Sequence, residues 1–561
     1  MWKKLLFKEM GKLSPAFLLL LLFTLTISRI QATTYYWVGG SGNWVTTVGT
    51  NHWSLSSGGA PLPLATPPPT ANDDAIFDAN SGFLPGNSTV TFGNSTIVRN
   101  ISVSGIIGVS PTFSFSNASQ YFDVYGNVDF QAGMNFVNFL CTTRFIATPG
   151  SLNRTVNTNG NIFYGPWKMD AGTNGATAAT ITINGDFELR NGFEINSVNT
   201  YDKVVVTGNP KFFRTGYNLY PGTIQYNLNV VKGEIYFDGG FDGLTGSNYQ
   251  FIVGQNGKLY SKANGTVREL YNSGYVNLNY AGTNPEYTMA VVSGHTATSA
   301  AILDFHQTTI NILDTWNYGT GSSGNWGMTS TGSLIKFKST SSQFRTYDYA
   351  FGSVTIEPAV SVFNIYGSIY GIANITPTFD NFVIQRNTYY NQPSVPSIFT
   401  FTSTNFKVNP GITVSMQYAI AKIQVNGVCD ILGTCESPIK FVNTNFVFGG
   451  GTTVVSNHIF TEGISATGPS TPYNPGTESR VITGGSSGWN FNTTGGRTLI
   501  WVGRFQHQLI SGTNRFTVVG KTVQTGEMRV FRQLQRPTIP LELQHALRRL
   551  EILSYFLTIP M

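Results

Sequence analysis

The amino-acid sequence predicts an all-β protein whose larger part is a parallel β-helix, also called a β-solenoid. Composition is one reason: the 561 residues include 61 Gly, 40 Phe and 26 Tyr, with Asn, Ser and Thr in nearly every segment. Asn, Gly and Ser form tight turns easily, whereas Thr, Val, Ile and aromatic residues suit pleated strands. The second reason is a recurring short strand, Gly or Asn-Gly corner and second short strand, as in "ATITINGDFELRNGFEIN". The pattern returns about every 20–30 residues, within the range of solenoid repeats.

The alternative to a β-helix is a series of antiparallel β-sandwiches built from consecutive hairpins. Few of the corners are the two-residue turns that hairpins prefer, and the Asn-Gly corners recur at offsets that suit successive coils. The β-helix is therefore favoured, and each coil would contribute one short strand to each of two or three parallel sheets. At ~25 residues per coil, the body of the chain would form about 15 coils.

Residues 1–32 have the pattern of a secretory signal peptide. The segment "MWKKLLFKEMGK" is basic, the run "AFLLLLLFTLTI" is apolar, and a polar stretch ends at Ala32. The apolar run is shorter than the roughly 20 residues needed to span a bilayer, so cleavage is favoured over a membrane anchor. We therefore expect a secreted, extracellular protein with no membrane span after the leader has been removed.

Residues 33–95 differ in kind from the repeats that follow. They contain Trp37, Trp44 and Trp53, then a Pro-rich loop and the acidic turn "ANDDAIFDANS". The first coil of a solenoid has an apolar end that must be covered, so we expect this block to be a Trp-rich N-terminal cap. Residues 96–470 would be the β-solenoid body, and residues 471–497, with Trp489, a closing strand and linker rich in Gly, Ser, Thr and Pro.

The segments "YYWVGGSGNW", "NHWSLSSGG" and "PTANDDAIFDANS" together resemble the repeat module of very large secreted surface proteins of Bacteroidota. In that family each module begins with such a block, continues into β-solenoid-like repeats and closes with a "GW-F" segment. Here Trp489 in "SGWNF" supplies the closing element. The resemblance covers residues 33–81 and 481–503 well and the middle in style only. It implies display on the outer cell surface, export by the type IX route and an adhesive or structural role, and it implies no enzymatic activity.

The first motif of the block returns near the C-terminus, where "TLIWVG" at residues 498–503 echoes "TYYWVG" at residues 34–39. The residues that follow do not continue the module, because residues 504–561 contain seven of the chain's 18 Arg and no Asp. We interpret residues 498–561 as the start of a second module with a frameshifted, disordered tail. The alternative is a helical C-terminal extension, suggested by "LELQHALRRLEIL".

Two groups of residues are candidates for chemistry. Asp73, Asp74 and Asp78 could supply oxygen ligands to Ca²⁺, or they could cap the acidic turn by accepting backbone N–H bonds. Cys429 and Cys435 lie six positions apart in "CDILGTC". In an exported protein this spacing predicts a local disulfide, and the alternative is a redox or metal pair.

Charge and motifs narrow the function. The formal net charge of +6 comes from the leader and the tail; residues 33–503 carry slightly more acidic than basic side chains, which argues against a nucleic-acid partner. His295, His306 and His458 are isolated in the sequence, and we find no catalytic motif and expect no cofactor. We expect a non-enzymatic, adhesin-like structural protein that contacts extracellular surfaces or glycans. The alternative is a glycan-binding or glycan-degrading β-helix whose Tyr and Trp side chains stack on sugar rings.

Overall fold

The computed structural model describes most of the chain between residue 32 and residue 520. The described residues are 32–115, 117, 119–136, 138–146, 152–170, 178–197, 202–212, 227–243, 250–294, 301–318, 327–367, 374–391, 398–417, 421–476, 478–491, 503–510 and 513–520. They form strands joined by turns, and no helix occurs among them. Two compact units divide the chain, Met1–Ile335 and Lys336–Met561.

The strands are short at the N-terminal end and longer further on. The strands up to residue 317 are Thr34–Trp37 (β1), Gly42–Asn43 (β2), Trp53–Ser54 (β3), Asp74–Phe77 (β4), Thr89–Thr91 (β5), Thr96–Val98 (β6), Asn100–Val103 (β7), Thr112–Ser114 (β8), Tyr121–Val124 (β9), Val128–Phe130 (β10), Thr142–Ile146 (β11), Asn153–Asn157 (β12), Ile162–Phe163 (β13), Trp167–Asp170 (β14), Thr180–Asn184 (β15), Phe187–Leu189 (β16), Phe193–Asn196 (β17), Lys203–Val206 (β18), Pro210–Phe212 (β19), Leu228–Phe237 (β20), Phe241–Gly243 (β21), Gln250–Ser261 (β22), Gly265–Asn272 (β23), Tyr275–Asn277 (β24), Glu286–Gly294 (β25), Ile302–Asp304 (β26) and Thr309–Asn317 (β27). The later strands are Gly327–Thr329 (β28), Leu334–Phe337 (β29), Gln343–Arg345 (β30), Ala350–Ile356 (β31), Phe363–Tyr366 (β32), Asn374–Ile375 (β33), Thr378–Ile384 (β34), Thr388–Asn391 (β35), Ile398–Val408 (β36), Thr413–Met416 (β37), Lys422–Leu432 (β38), Ile439–Phe448 (β39), Thr453–Asn457 (β40), Ile459–Thr467 (β41), Arg480–Ser487 (β42), Gly503–Ile510 (β43) and Thr513–Gly520 (β44).

The first unit is a parallel β-helix in which each turn stacks on the one before it. In one sheet β15, β18 and β20 are neighbours, with Ile183 opposite Val206 and Val206 opposite Phe237. In a second sheet β14, β17 and β20 are neighbours, and Phe193 lies opposite Leu228. A third sheet contains β16, β19 and β21. One turn of chain therefore contributes a strand to each of three sheets.

The second unit repeats this arrangement with longer strands. In one sheet the register runs from Phe363 to Thr388, Val414, Phe441 and Thr461, through β32, β35, β37, β39 and β41. A neighbouring sheet contains β31, β34, β36, β38 and β40. Counted over both units, the described strands make about 14 turns. The prediction of an all-β parallel solenoid is confirmed. Where a register is described, only β1 with β3 and β43 with β44 pair antiparallel, so the sandwich alternative is wrong.

Alternation along each strand places apolar side chains in the interior of the coil. In β15, "TITIN", Ile181 and Ile183 are fully buried while their neighbours are half-exposed, as the two-residue period of a strand requires. Aromatic rings stack from turn to turn inside the second unit. Phe379 lies 5.1 Å from Phe351 and 4.5 Å from Phe401, centroid to centroid, in near-parallel orientation. Many of the chain's 40 Phe residues therefore belong to the core.

Polar corners also stack at one-turn intervals. Asn184 Nδ2 donates to Asn157 Oδ1 at 3.0 Å, Asn157 Nδ2 donates to Asp129 Oδ1 at 3.1 Å, and Thr207 Oγ1 donates to Asn184 Oδ1 at 3.1 Å. Each side chain meets its counterpart in the next turn, so the corner residues fix the register between turns as the core residues do.

Three sequence predictions fall wholly or largely outside the described residues. The leader is not described before Ala32, and residues 521–561 are not described. Within the C-terminal segment, the strands β43 and β44 are described, and they pair antiparallel with Gly503 opposite Gly520. The signal peptide, the second module and the frameshifted tail remain predictions.

Candidate functional site

The acidic turn uses its carboxylates within the protein. Asp73 is buried and accepts hydrogen bonds from the backbone N–H groups of Thr33 at 3.1 Å and Thr70 at 3.0 Å, and from Thr70 Oγ1 at 2.6 Å. Asp74 forms a bidentate ion pair with Arg99, whose Nε and Nη2 lie 2.8 and 2.5 Å from its oxygens. Asp78 accepts from the backbone N–H of Asn80 at 2.9 Å. The backbone contacts of Asp73 and Asp78 favour the capping interpretation, and the three carboxylates do not form a metal-binding group in the described part of the chain.

The tryptophans of the N-terminal block are buried against one another. Trp37, Trp44 and Trp53 are at most 1% exposed. The Trp53 ring lies 5.0 Å from Trp37 and 4.8 Å from Trp44, in both cases edge to face, and 5.8 Å from Phe77. Trp53 Nε1 donates to the Trp44 carbonyl at 3.0 Å. Their faces are therefore not available for stacking on sugars, and their role as a cap stays a prediction.

A shallow cleft opens beside this block but has no carboxylate in its walls. Its volume is about 330 Å³, and its lining includes Trp44, Asn51, Leu64 and Pro67. In the second unit, Trp489 is 5% exposed and its ring packs near those of Phe446, Phe448 and Tyr473.

The predicted disulfide between Cys429 and Cys435 is wrong in this structure, where both cysteines are free. Cys429 lies in β38 with its side chain in the core, and burial raises the pKa of its thiol. Cys435 lies beyond the end of that strand in an exposed turn. The alternation of the strand directs the first sulfur inward, and the turn carries the second outward. The contact that Cys435 makes is with His458, whose Nε2 lies 2.9 Å from its Sγ.

A cluster of half-exposed tyrosines in the first unit is the candidate binding surface. The tyrosine surface consists of Tyr236, Tyr260, Tyr275 and Tyr280. Tyr236 and Tyr260 are register partners on adjacent turns, and their rings stack at 4.4 Å with an interplanar angle of 6°. Tyr275 lies 5.5 Å from Tyr260, and Tyr280 meets Tyr236 edge to face at 5.5 Å. The parallel register pairs Tyr236 with Tyr260, whereas Tyr275 lies opposite Lys258 and Tyr280 follows the end of β24.

Charged side chains hold the tyrosine surface in place. Glu234 Oε2 accepts from the Tyr236 hydroxyl at 2.8 Å, and its Oε1 pairs with Lys258 Nζ at 2.8 Å. Asp238 accepts from the Tyr280 hydroxyl and pairs with Lys262 Nζ at 3.1 Å. The lysines are thus neutralised by carboxylates, and the surface is not the basic stripe of a nucleic-acid site.

The phenols of Tyr236, Tyr260 and Tyr280 stay neutral at physiological pH. Burial raises the pKa of Tyr236, and the hydrogen bond to the Glu234 carboxylate raises it further. Burial and the Asp238 carboxylate likewise raise the pKa of Tyr280, and burial raises that of Tyr260. Neutral hydroxyls can both donate and accept hydrogen bonds. The surface therefore combines apolar rings with a rim of fixed hydroxyl groups.

Sequence reasoning noted that Tyr could stack on sugars but did not select these residues. A signal was present, because Tyr236 and Tyr260 are 24 positions apart, about one turn. It could not be used, since turn length varies along the chain and the register was unknown. His458 and Glu478, which lie beside Cys435, were missed for the same reason.

Fold and site together define a repeat protein of the β-solenoid class that carries an ordered aromatic surface. No protein-family model, curated protein or solved structure matches the chain. Within the described residues, no helix has the length and apolar character needed to cross a membrane.

Proposed function

We propose that this chain is a non-enzymatic structural and adhesive protein that works outside the cell, and that its adhesive contact is with carbohydrate. The observation that carries the proposal is the tyrosine surface, where Tyr236 and Tyr260 stack at 4.4 Å on successive turns. Tyr offers rigid, amphipathic contact area at low cost in conformational entropy. The predicted signal peptide and the resemblance to surface modules support a place on the outer cell surface.

A glycan chain suits this surface because its sugar units repeat along one direction, as the tyrosines do on successive turns. Adjacent turns of a parallel solenoid are separated by about 4.8 Å, and the tyrosine surface presents one phenol per turn at Tyr236 and Tyr260. Both rings are half-exposed, so sugar hydroxyls can reach their accessible edges. A polymer with regularly spaced hydroxyl groups can therefore contact several turns at once, and weak contacts add through multivalency.

The carboxylates next to the tyrosines support binding over hydrolysis. A glycosidase needs one carboxylic acid that gives up a proton and a second carboxylate placed across the scissile bond. Glu234 is 5% exposed and is engaged by Lys258 and Tyr236. Asp238 is engaged by Lys262 and Tyr280. These ion pairs and hydrogen bonds occupy the carboxylate oxygens, which suits anchoring of the rings.

The test is glycan binding by the purified protein and two variants. We expect binding to a subset of polysaccharides on an array, and a loss of at least about tenfold in affinity, 1.4 kcal/mol, for Tyr260→Ala. The matched control is Tyr389→Ala, which removes another half-exposed strand tyrosine in the second unit and should leave the affinity unchanged. Equal loss in both variants would contradict a role for the tyrosine surface, and absence of glycan binding with retained surface adhesion would contradict carbohydrate as the ligand.

A further inference from the structure

Three side chains with metal-binding atoms, Cys435, His458 and Glu478, meet at one corner of the second unit. Cys435 lies in the turn between β38 and β39, His458 lies between β40 and β41, and Glu478 lies two residues before β42. The strands β39, β41 and β42 are neighbours in one parallel sheet, with Ile439 opposite Ile459. The corners that precede them therefore stack, and each of three consecutive turns supplies one side chain.

The donor atoms are close enough to share one ion. Cys435 Sγ lies 2.9 Å from His458 Nε2, and the sulfur, the imidazole nitrogen and a Glu478 carboxylate oxygen all lie within 4.8 Å of one another. In a tetrahedral zinc site the ligand atoms lie ~2.0–2.3 Å from the ion, and hence about 3.3–3.8 Å from each other. Small side-chain rotations that move the donor atoms by less than about 1 Å would bring them to these separations. Cys435 and Glu478 are exposed and His458 is half-buried, so an ion can enter from solvent.

The backbone of the corner holds two of these residues in unusual conformations. His458 has φ of 50° and Glu478 has φ of 65°, in the left-handed region that residues with a side chain seldom adopt. The His458 backbone N–H donates to Asn457 Oδ1 at 3.0 Å, and the Gly433 N–H donates to the Asn457 carbonyl at 2.9 Å. Such conformations persist where the surrounding contacts determine them, and they cluster at binding sites. The hydrogen bonds thus fix the corner that carries Cys435 against the corner that carries His458.

We propose that Cys435, His458 and Glu478 form a binding site for a divalent transition-metal ion of the zinc class. A thiolate, an imidazole and a carboxylate are ligands that zinc accepts together, whereas calcium and magnesium take oxygen ligands. On binding, the Cys435 thiol releases one proton to solvent and its sulfur donates an electron pair to the ion. Three protein ligands leave one tetrahedral position for water or an outside group. The ion joins three turns and so stabilises this part of the second unit, a role independent of carbohydrate binding.

Cobalt is the probe for the experiment, because a Co²⁺–thiolate bond gives a charge-transfer absorption in the near ultraviolet. Titration of the reduced protein with Co²⁺ should produce this band, saturating at one ion per chain, and Zn²⁺ should remove it. Cys435→Ser should abolish the band, and Glu478→Gln should keep it while weakening Co²⁺ binding by at least about tenfold. Zn²⁺ should also raise the unfolding temperature of the unsubstituted protein and leave that of Cys435→Ser unchanged.

The matched control is Glu436→Gln, which removes an exposed negative charge next to Cys435 without removing a ligand. Its Co²⁺ affinity should equal that of the unsubstituted protein. Far-ultraviolet circular dichroism of each variant verifies the fold. The absence of a charge-transfer band in the unsubstituted protein, or a band that survives Cys435→Ser, overturns the proposal. Equal weakening by Glu436→Gln and Glu478→Gln also overturns it, since that result would indicate attraction by surface charge alone.

Discussion

Replacement of Trp53 by alanine tests whether the tryptophan block stabilises the N-terminal end of the solenoid. The Trp53 ring is 1% exposed and lies between Trp37 at 5.0 Å and Trp44 at 4.8 Å, with Phe77 at 5.8 Å. Deletion of a core Trp side chain costs about 3–5 kcal/mol. The lost bond from Nε1 to the Trp44 carbonyl leaves a buried acceptor without its partner, which adds about 1 kcal/mol. We therefore expect a total loss of about 4–6 kcal/mol.

The measurement is guanidinium-induced unfolding, combined with hydrogen exchange to locate the loss. Stability in a repeat protein is a sum of terms between neighbouring repeats, so faster exchange should be concentrated in β1, β3 and β4. The matched control is Tyr36→Ala, since Tyr36 is half-exposed and adjacent to Trp37 in β1, and it should cost under about 1 kcal/mol. A loss below about 1 kcal/mol for Trp53→Ala would refute the reasoning, because a ring that is buried in solution cannot be removed at so low a cost.

Three further substitutions or conditions probe buried polar groups. Tyr390 is 2% exposed and its hydroxyl has no hydrogen-bond partner, so Tyr390→Phe should raise the free energy of unfolding by about 1 kcal/mol, and a loss of stability would contradict this. Burial raises the pKa of Tyr287 above its ordinary value of 10.0, so the stability due to its neutral phenol is complete below pH 10 and falls above it. Unfolding measured at several pH values should show that Tyr287→Phe lessens this fall by about 1.4 kcal/mol per pH unit relative to the unsubstituted protein, in which tyrosines such as Tyr236 and Tyr280 also contribute to it. Arg386 is 1% exposed and donates to the Ser341 carbonyl at 2.8 Å and to the Ser339 carbonyl at 3.1 Å. Arg386→Lys cannot maintain both bonds and should lower the free energy of unfolding in denaturant by about 1–3 kcal/mol. An unchanged denaturation midpoint would show that one bond suffices.

The strands themselves were predictable because alternation is a local property. In β18, "KVVV", Val204 and Val206 are buried and Lys203 and Val205 are half-exposed, and any reader of the sequence can see such a two-residue period. Parallel pairing could also be argued from the sequence, since few of the corners are the two-residue turns that antiparallel hairpins prefer. Both features can be predicted without knowing which residues of successive turns lie opposite one another.

The corners were only partly predictable. Asn184-Gly185 is a true corner, where the strand ends and Gly185 has φ of 81°. Asn256-Gly257, the same dipeptide, lies inside β22, which continues unbroken from Gln250 to Ser261. There the ladder between β20 and β22 shifts by one residue, after Val230 opposite Val253, and resumes with Gly233 opposite Gly257 as both strands pass from one sheet to the next. Whether a Gly ends a strand therefore depends on the turn beneath it.

The candidate sites show why sequence spacing rules fail in this fold. A search for metal ligands at separations of two or four residues tests whether side chains share one strand or one helix face. In a solenoid the neighbours of a corner residue lie one turn away, and that distance changes along the chain: Cys435 and His458 are 23 residues apart, whereas His458 and Glu478 are 20 apart. Only the register, with β39 beside β41 and β41 beside β42, identifies these residues as neighbours. A local rule instead paired Cys435 with Cys429, whose side chain lies in the core.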